Sequence, residues 1–394
     1  MKRELKGSAV SCIACGASDW LPLPEPAERR SLTTSGSVLR AALAKFHCSQ
    51  CGLVRRLGVD LLGESAYYEE QYADYYARPG ARHYDQARYA VMAAWTADAL
   101  DSRTPRRILD AGCGAGWSML ATRERFPESE ITGIEPSVQN AAAATALGFK
   151  VLVQRIGYGT PLDAPYDLIY ANNVLMHTVD PVAFLKELGD GLADDGRLVI
   201  ICPDASEPSS ELLWVDHNFS FAPDHVRRLA RRAGLTMIAS HRRHGSITIL
   251  DKQLCVLAKA DSGVHDVALH EFSEQDVEAL YTGRCEYLAQ WPQLAKHLAA
   301  ASGGSRRTFN FGSSMWTWLL AAYCKDYWDG VNACLVDNFS GRCIDKEVID
   351  FQDAQLTADD CLVLGVNPRS QDALAARLSA SPARIVKWNN GVLA

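Results

Sequence analysis

Between residues 106 and 204, short apolar strands alternate with helices, and this alternation restricts the fold of the 394-residue chain more than any other feature. "RRILDAGCGAG" reads as a strand and a tight turn, and "SMLATRERF" as the helix that follows. "EITGIEPS", "KVLVQRI", "YDLIYANNVL" and "GRLVIICPD" supply four further strands, with "VQNAAAATALG" and "PVAFLKELGDGL" as helices among them. "DHVRRLARRAGL" continues as a helix and "SITILDKQLCVLAKA" as closing strands. Strands joined by helices form a parallel sheet that must be covered on both faces, so the class is α/β.

Upstream lie two CxxC pairs, Cys12 with Cys15 and Cys48 with Cys51, each ending in Cys-Gly. Glycine there tolerates the tight backbone turn a metal knuckle imposes. Four thiolates are the tetrahedral set of a structural zinc ribbon, closed and without an open position for catalysis. An insertion separates the two knuckles. The other eight of the twelve cysteines are scattered and read as small core residues. The modules expected are a zinc-binding ribbon over 1–65, the α/β sheet over 66–260 and a helical connector over 261–304. The "SGGS" at 302–305 marks the boundary to a smaller Rossmann-like α/β substrate unit over 305–394. That last unit has a glycine turn, "FGSS", and an acidic strand end, Asp337, but lacks the further glycines of a phosphate cradle.

Composition excludes several functions. A formal net charge of −7 opposes nucleic-acid binding, which needs a concentrated positive surface. The basic clusters at 226–235 and 241–245 are solvated arginine or a site for an anionic diphosphate. No run of about 18 apolar residues spans a membrane, and no apolar segment follows the basic start, so a cytoplasmic location is the expectation.

The turn "DAGCGAG" places Asp110, Gly112, Gly114 and Gly116 between a strand and a helix, where backbone can approach a ligand and helix N–H groups face it. It is not the GxGxxG spacing of dinucleotide binders. Glu135, ending the second strand, suits ribose hydroxyls, and Asp110 a ligand amino group. This pattern resembles the class I S-adenosylmethionine-dependent methyltransferases. The order of ribbon, sheet and C-terminal unit further resembles the three-module sugar C-methyltransferases, which act on nucleotide-linked keto-deoxysugars. "CSQCGLV", "ANNVLMHTVDPVAFLKEL", "VDHNFSF", "HGSITIL" and "VLGVNP" carry that likeness. The chain departs from the family's Glu-Ile-Gly-Ser-Asn-Asp-Gly turn, and its His-Glu-His is Val215-Asp216-His217 here.

The resemblance implies S-adenosylmethionine as cofactor, a structural Zn2+ and a small-molecule substrate. A carbon acceptor beside a ketone needs a base and an oxyanion donor. His217, placed at the end of strand five, is the first candidate base, with Asp216 orienting it. His177 is the second candidate, or else a cap for the helix near Asp180. Asn172 and Asn173 fall near cofactor or substrate, and Tyr72 and Tyr76 are oxyanion donors or packing residues. The competing readings are an O- or N-methyltransferase of natural-product or polysaccharide biosynthesis, and a zinc-ribbon scaffold without turnover.

Overall fold

The computed structural model describes residues 10–61, 67–70, 81–163, 165–243 and 251–388. The chain groups into two units. The first comprises Met1–Pro22, Lys45–Glu207 and His217–Tyr281; the second comprises Leu23–Ala44, Pro208–Asp216 and Thr282–Ala394.

Seven strands build the main sheet of the first unit: β1 (Arg107–Ala111), β2 (Glu130–Ile134), β3 (Lys150–Leu152), β4 (Tyr166–Asn172), β5 (Leu192–Pro203), β6 (Leu235–Arg243) and β7 (Lys252–Lys259). Their order is β6-β7-β5-β4-β1-β2-β3. Strands β1 to β5 are parallel, and β7 runs antiparallel to both β5 and β6. Residues alternate between the two faces, as the pleat requires. Leu109, Ala111, Ile169, Ala171, Leu198 and Ile200 enter one core, and Ile108, Leu168, Tyr170, Val199 and Ile201 enter the other. With both faces buried, ligands are left the edge where strands end, and the winding direction reverses between β1 and β4.

Local chemistry sets where the covering helices begin: α1 (Trp117–Arg125), α2 (Val138–Ala146), α3 (Pro181–Asp190) and α4 (Pro223–Arg232). Ser137 caps α2 by accepting from the Asn140 amide. Asp180 caps α3, accepting from the amides of Val182 and Ala183 at 3.0 Å, with Pro181 in the first turn. His177 is therefore not the cap of that helix. Strand β6 was not expected from the sequence, where its end read only as a basic cluster; Arg242 instead pairs with the buried Asp204 beyond β5. "SITIL", expected to open the closing strands, lies outside the described residues.

The cysteine ribbon is an antiparallel sheet of Trp20–Pro22, Lys45–Cys48 and Val54–Arg56, extended by Phe219–Ser220. The insertion between the knuckles, Leu23–Ala44, groups with the second unit rather than with the ribbon strands. There its hairpin of Ser31–Leu32 and Val38–Leu39 bridges Trp214 from Leu32. The Arg30 guanidinium donates to the carbonyls of Ala321 and Ala322 at 2.9–3.0 Å. The sequence carried no mark of this, since the contacts are far apart along the chain. The connector is one long helix, α5 (Glu274–Ser302), containing Pro292.

The second unit's sheet comprises β8 (Thr308–Phe311), β9 (Val331–Val336), β10 (Gly341–Cys343), β11 (Lys346–Asp350), β12 (Cys361–Leu364) and β13 (Arg384–Val386). The order is β10-β11-β9-β8-β12-β13, parallel except for the β10 hairpin partner. Phe309, Phe311, Leu335, Leu362 and Leu364 form its core. Asp337, the acidic strand end, pairs with Arg377 at 2.7 Å. No helix among the described residues is long and apolar enough to cross a membrane.

Gly116 tests how tightly the turn is set. Its φ is +82°, and a Cβ there would lie 2.8 Å from the Ala144 Cβ and 3.0 Å from the Ala144 Cα. Gly116→Ala is expected to destabilise the chain by about 1–3 kcal/mol, through overpacking and left-handed strain, as read from the urea midpoint at unchanged m-value.

Candidate functional site

The four ribbon cysteines converge. The Sγ atoms of Cys12, Cys15, Cys48 and Cys51 all lie within 4.8 Å of one another, with Cys12 to Cys51 and Cys15 to Cys48 at 3.6 Å. Thiolates about 2.3 Å from a tetrahedral zinc stand about 3.8 Å apart, so the donor set fits such an ion. Gly16 and Gly52 close the knuckles at φ +82° and +75°, their amides donating to the carbonyls of Cys12 and Cys48. Sharing hydrogen bonds among crowded sulfurs pushes the Cys12 thiol up to about 12 and Cys51 higher, while Cys48 is held far below its usual range. A divalent cation replaces those shared protons in a cluster of thiolates. All twelve cysteines are unbridged by disulfides.

The second cluster lies where β1, β2 and β4 end. Asp110 is wholly buried and accepts a hydrogen bond from the Ser118 hydroxyl. Burial pushes its carboxyl up to about 7. Burial likewise pushes Glu135 up to about 7, although its two oxygens accept from the Gly114 and Ser137 amides at 3.0 Å. Glu135 therefore fastens the glycine turn to the start of α2. Gly112, at φ +86°, faces Val174, whose Cγ2 would lie 2.6 Å from an added Cβ. Gly114 also has positive φ, at +52°. The glycines at 112 and 116 thus answer to packing against Val174 and Ala144.

Beyond β4, Asn173 adopts φ +59°, and its Oδ1 accepts from the Lys252 ammonium at 2.6 Å. Lys252 is 92% buried at the start of β7, opposite Pro203 at the end of β5. Sequence reasoning missed it, since a lysine entering a strand carries no local signal. Three buried polar atoms at this edge lack a hydrogen-bond partner among the described residues: Asp110 Oδ1, Asn172 Oδ1 and Asn173 Nδ2. Buried polar groups are normally satisfied. Unsatisfied atoms where strand winding reverses fit a polar ligand such as S-adenosylmethionine, which Asp110, Glu135, Asn172 and Asn173 could hold.

The third cluster holds the histidines. His177 ends a short 3-10 turn (Leu175–His177) after β4, and its Nδ1 hydrogen-bonds the Tyr68 hydroxyl at 2.8 Å. Its ring stands edge-on to that of His217, centroids 4.9 Å apart. The Asn218 amide donates to the His177 carbonyl at 2.8 Å. Both histidines are thus brought together, but the expected position of His217 needs correction. Strand β5 ends at Pro203, and His217 follows a later 3-10 turn (Ser210–Leu213) to lead into the ribbon-paired Phe219–Ser220.

Asp216 also departs from expectation. Its carboxylate accepts from the Thr34 amide at 2.9 Å and from the Thr34 hydroxyl. Both of its oxygens are thus engaged by Thr34, a hold within the second unit that the sequence reading did not include. Tyr72 and Tyr76 lie outside the described residues; from the same tyrosine-rich segment, Tyr68 is the one at His177. The arginines of α4 serve structure. Arg227 and Arg228 pair with Asp224, Arg231 pairs with Asp266, and Arg232 donates to the Ile13 carbonyl in the first knuckle.

Residues 82–240 match a family model described as a methyltransferase domain. Over 112 residues the chain is 36% identical to the trans-aconitate 2-methyltransferase of Methylobacterium radiotolerans, covering 28% of this chain and 43% of that protein. It is 24% identical over 198 residues to the phosphoethanolamine N-methyltransferase of Triticum aestivum, covering 47% of this chain and 38% of the relative. The chain spans less than half the length of these curated relatives. Among solved structures, mitomycin 7-O-methyltransferase superimposes with a TM-score of 0.42 and 18% identity, over 51% of this chain and 61% of that one.

Two outcomes follow from these geometries. Purified protein is expected to contain about one zinc per chain by elemental analysis, and Cys48→Ser to lose it. Burial raises the Asp110 carboxyl, so between the ordinary carboxylate range and pH about 7 the native chain binds more protons than the unfolded one. Asp110 therefore costs stability progressively as pH rises through that window. Thermal unfolding of Asp110→Asn relative to the parent is expected to improve from about pH 4 to about pH 7 and to level off above it; a difference independent of pH contradicts this.

Proposed function

We propose that the protein is a class I S-adenosylmethionine-dependent methyltransferase that methylates a small molecule, and that the acceptor is a carbon beside the ketone of a nucleotide-linked keto-deoxysugar; the match of residues 82–240 to a methyltransferase-domain model and the order of the main sheet support the first part. The observation that carries this reading is the edge-on contact of His177 with His217, continued to the Tyr68 hydroxyl. Bound S-adenosylmethionine supplies an already activated methyl group, so the chain's task is alignment and proton removal.

His217 is the base that takes the acceptor's proton. His177, held at its carbonyl by Asn218 and at Nδ1 by Tyr68, is placed to share that proton. The Lys252 ammonium, at Asn173, adds a positive field at the same strand ends, the kind of charge that stabilises a developing oxyanion. The structural zinc is assigned to Cys12, Cys15, Cys48 and Cys51.

Oxygen or nitrogen is the alternative acceptor, favoured by the names of the matched relatives, one of which methylates a nitrogen. The same histidine would then deprotonate a hydroxyl or position an amine.

With a keto-sugar nucleotide as substrate, His217→Ala is expected to lower kcat by about 10²–10⁴-fold and to abolish solvent deuterium exchange at the substrate α-carbon, with cofactor affinity retained. Exchange that persists in the folded variant removes His217 as base. A product methyl found by NMR on oxygen or nitrogen selects the alternative acceptor, and absence of turnover with every small acceptor favours a scaffold.

A further inference from the structure

We propose that the metal knuckles act on the reaction through position: they anchor the backbone that carries His217, and Lys45 is the positioning residue that makes the connection. This rests on the reading of His217 as a base only for its kinetic consequence.

Lys45 opens the ribbon strand that ends at Cys48, and only 2% of it is exposed. Its ammonium donates to the His217 carbonyl at 2.7 Å. An ammonium is costly to bury and is kept inside a protein where it is held by good acceptors. The His217 carbonyl is one of those acceptors, on the very residue whose ring meets His177.

The next residues are held by the same two strands. The Arg56 amide donates to the Asn218 carbonyl at 3.0 Å. Phe219 pairs with Arg55 and Ser220 with Val54, antiparallel. Asn218 in turn holds the His177 carbonyl. The Cys48 amide donates to the Leu53 carbonyl at 2.8 Å, so the second knuckle is itself the hairpin joining the two gripping strands.

The grip is repeated at the far end of the segment. His225, in the first turn of α4, hydrogen-bonds the Cys51 carbonyl through Nε2 at 2.6 Å, while its Nδ1 accepts from the Ala222 amide. Residues 217 to 225 are therefore tied to the cysteine hairpin at both ends. Removing the ion leaves four crowded sulfurs and frees the hairpin that sets this register. The glycine turn, Asp110 and Glu135 belong to the seven-stranded sheet and do not take part in these bonds.

The test uses the full chain in its metal-loaded form, compared by hydrogen–deuterium exchange with the same protein after chelation. Metal release is expected to speed exchange in peptides covering 54–56 and 217–221 by about tenfold or more, with β1 and β4 still protected and S-adenosylmethionine affinity within about twofold. Lys45→Met, with zinc retained, is expected to raise exchange in 217–221 and to lower kcat by about tenfold at unchanged KM for the cofactor, with partial rescue in Lys45→Arg. Unchanged protection of 217–221 in both experiments overturns the proposal. Loss of protection across the whole main sheet on metal release also overturns it, since the ribbon would then be a general support. Failure of the methyltransferase reading has a different signature: no cofactor binding, with the exchange result intact.

Discussion

Burial of both faces of the seven-stranded sheet is the constraint on which the remaining chemistry depends. Once Leu109, Ile169 and Ile200 fill one core and Ile108, Leu168 and Val199 the other, polar groups have only the strand ends to occupy. The unsatisfied atoms of Asp110, Asn172 and Asn173 lie there, as does the ammonium of Lys252. Two carboxyls raised by burial to about 7 at such an edge are poorly suited to a ligand-free chain. They are well suited to a cationic ligand, which restores the charge that burial opposes.

The cysteine cluster and the segment that follows His217 share one antiparallel sheet. The fourth strand of the ribbon comes from the segment after His217, so a structural metal module and the candidate base share hydrogen bonds. A closed tetrathiolate site offers no position for substrate. Its contribution is rigidity: a short hairpin clamped by four sulfurs is a firmer support than an open loop for a side chain whose ring must keep a fixed distance from its neighbour.

Much of the site was legible because its signals are local. The glycine turn, Glu135 after β2, the two CxxC knuckles and the asparagines ending β4 are each read within a few residues. What was missed depends on pairing across long sequence separations. Nothing near His217 shows that Phe219 joins Arg55, or that Asp216 turns to Thr34, 182 residues away. Nothing in the sequence marks Lys45 and Lys252 as buried. Strand β6 was obscured by its terminal arginines, which suggested a solvated cluster rather than an edge strand. Among several adjacent tyrosines, sequence alone did not single out Tyr68.

The hold of Asp216 on Thr34 bears on how the chain is divided. The backbone passes between the two units five times, after residues 22, 44, 207, 216 and 281. A truncation that discards everything beyond Tyr281 would strip Leu32, Leu43 and Trp214, each at most 1% exposed, of the body they pack into. Neither unit is a cassette that recombination can exchange by a single cut. Changes in the C-terminal third must accommodate residues from the ribbon insertion and from the turn before His217, which ties the evolution of these distant segments together.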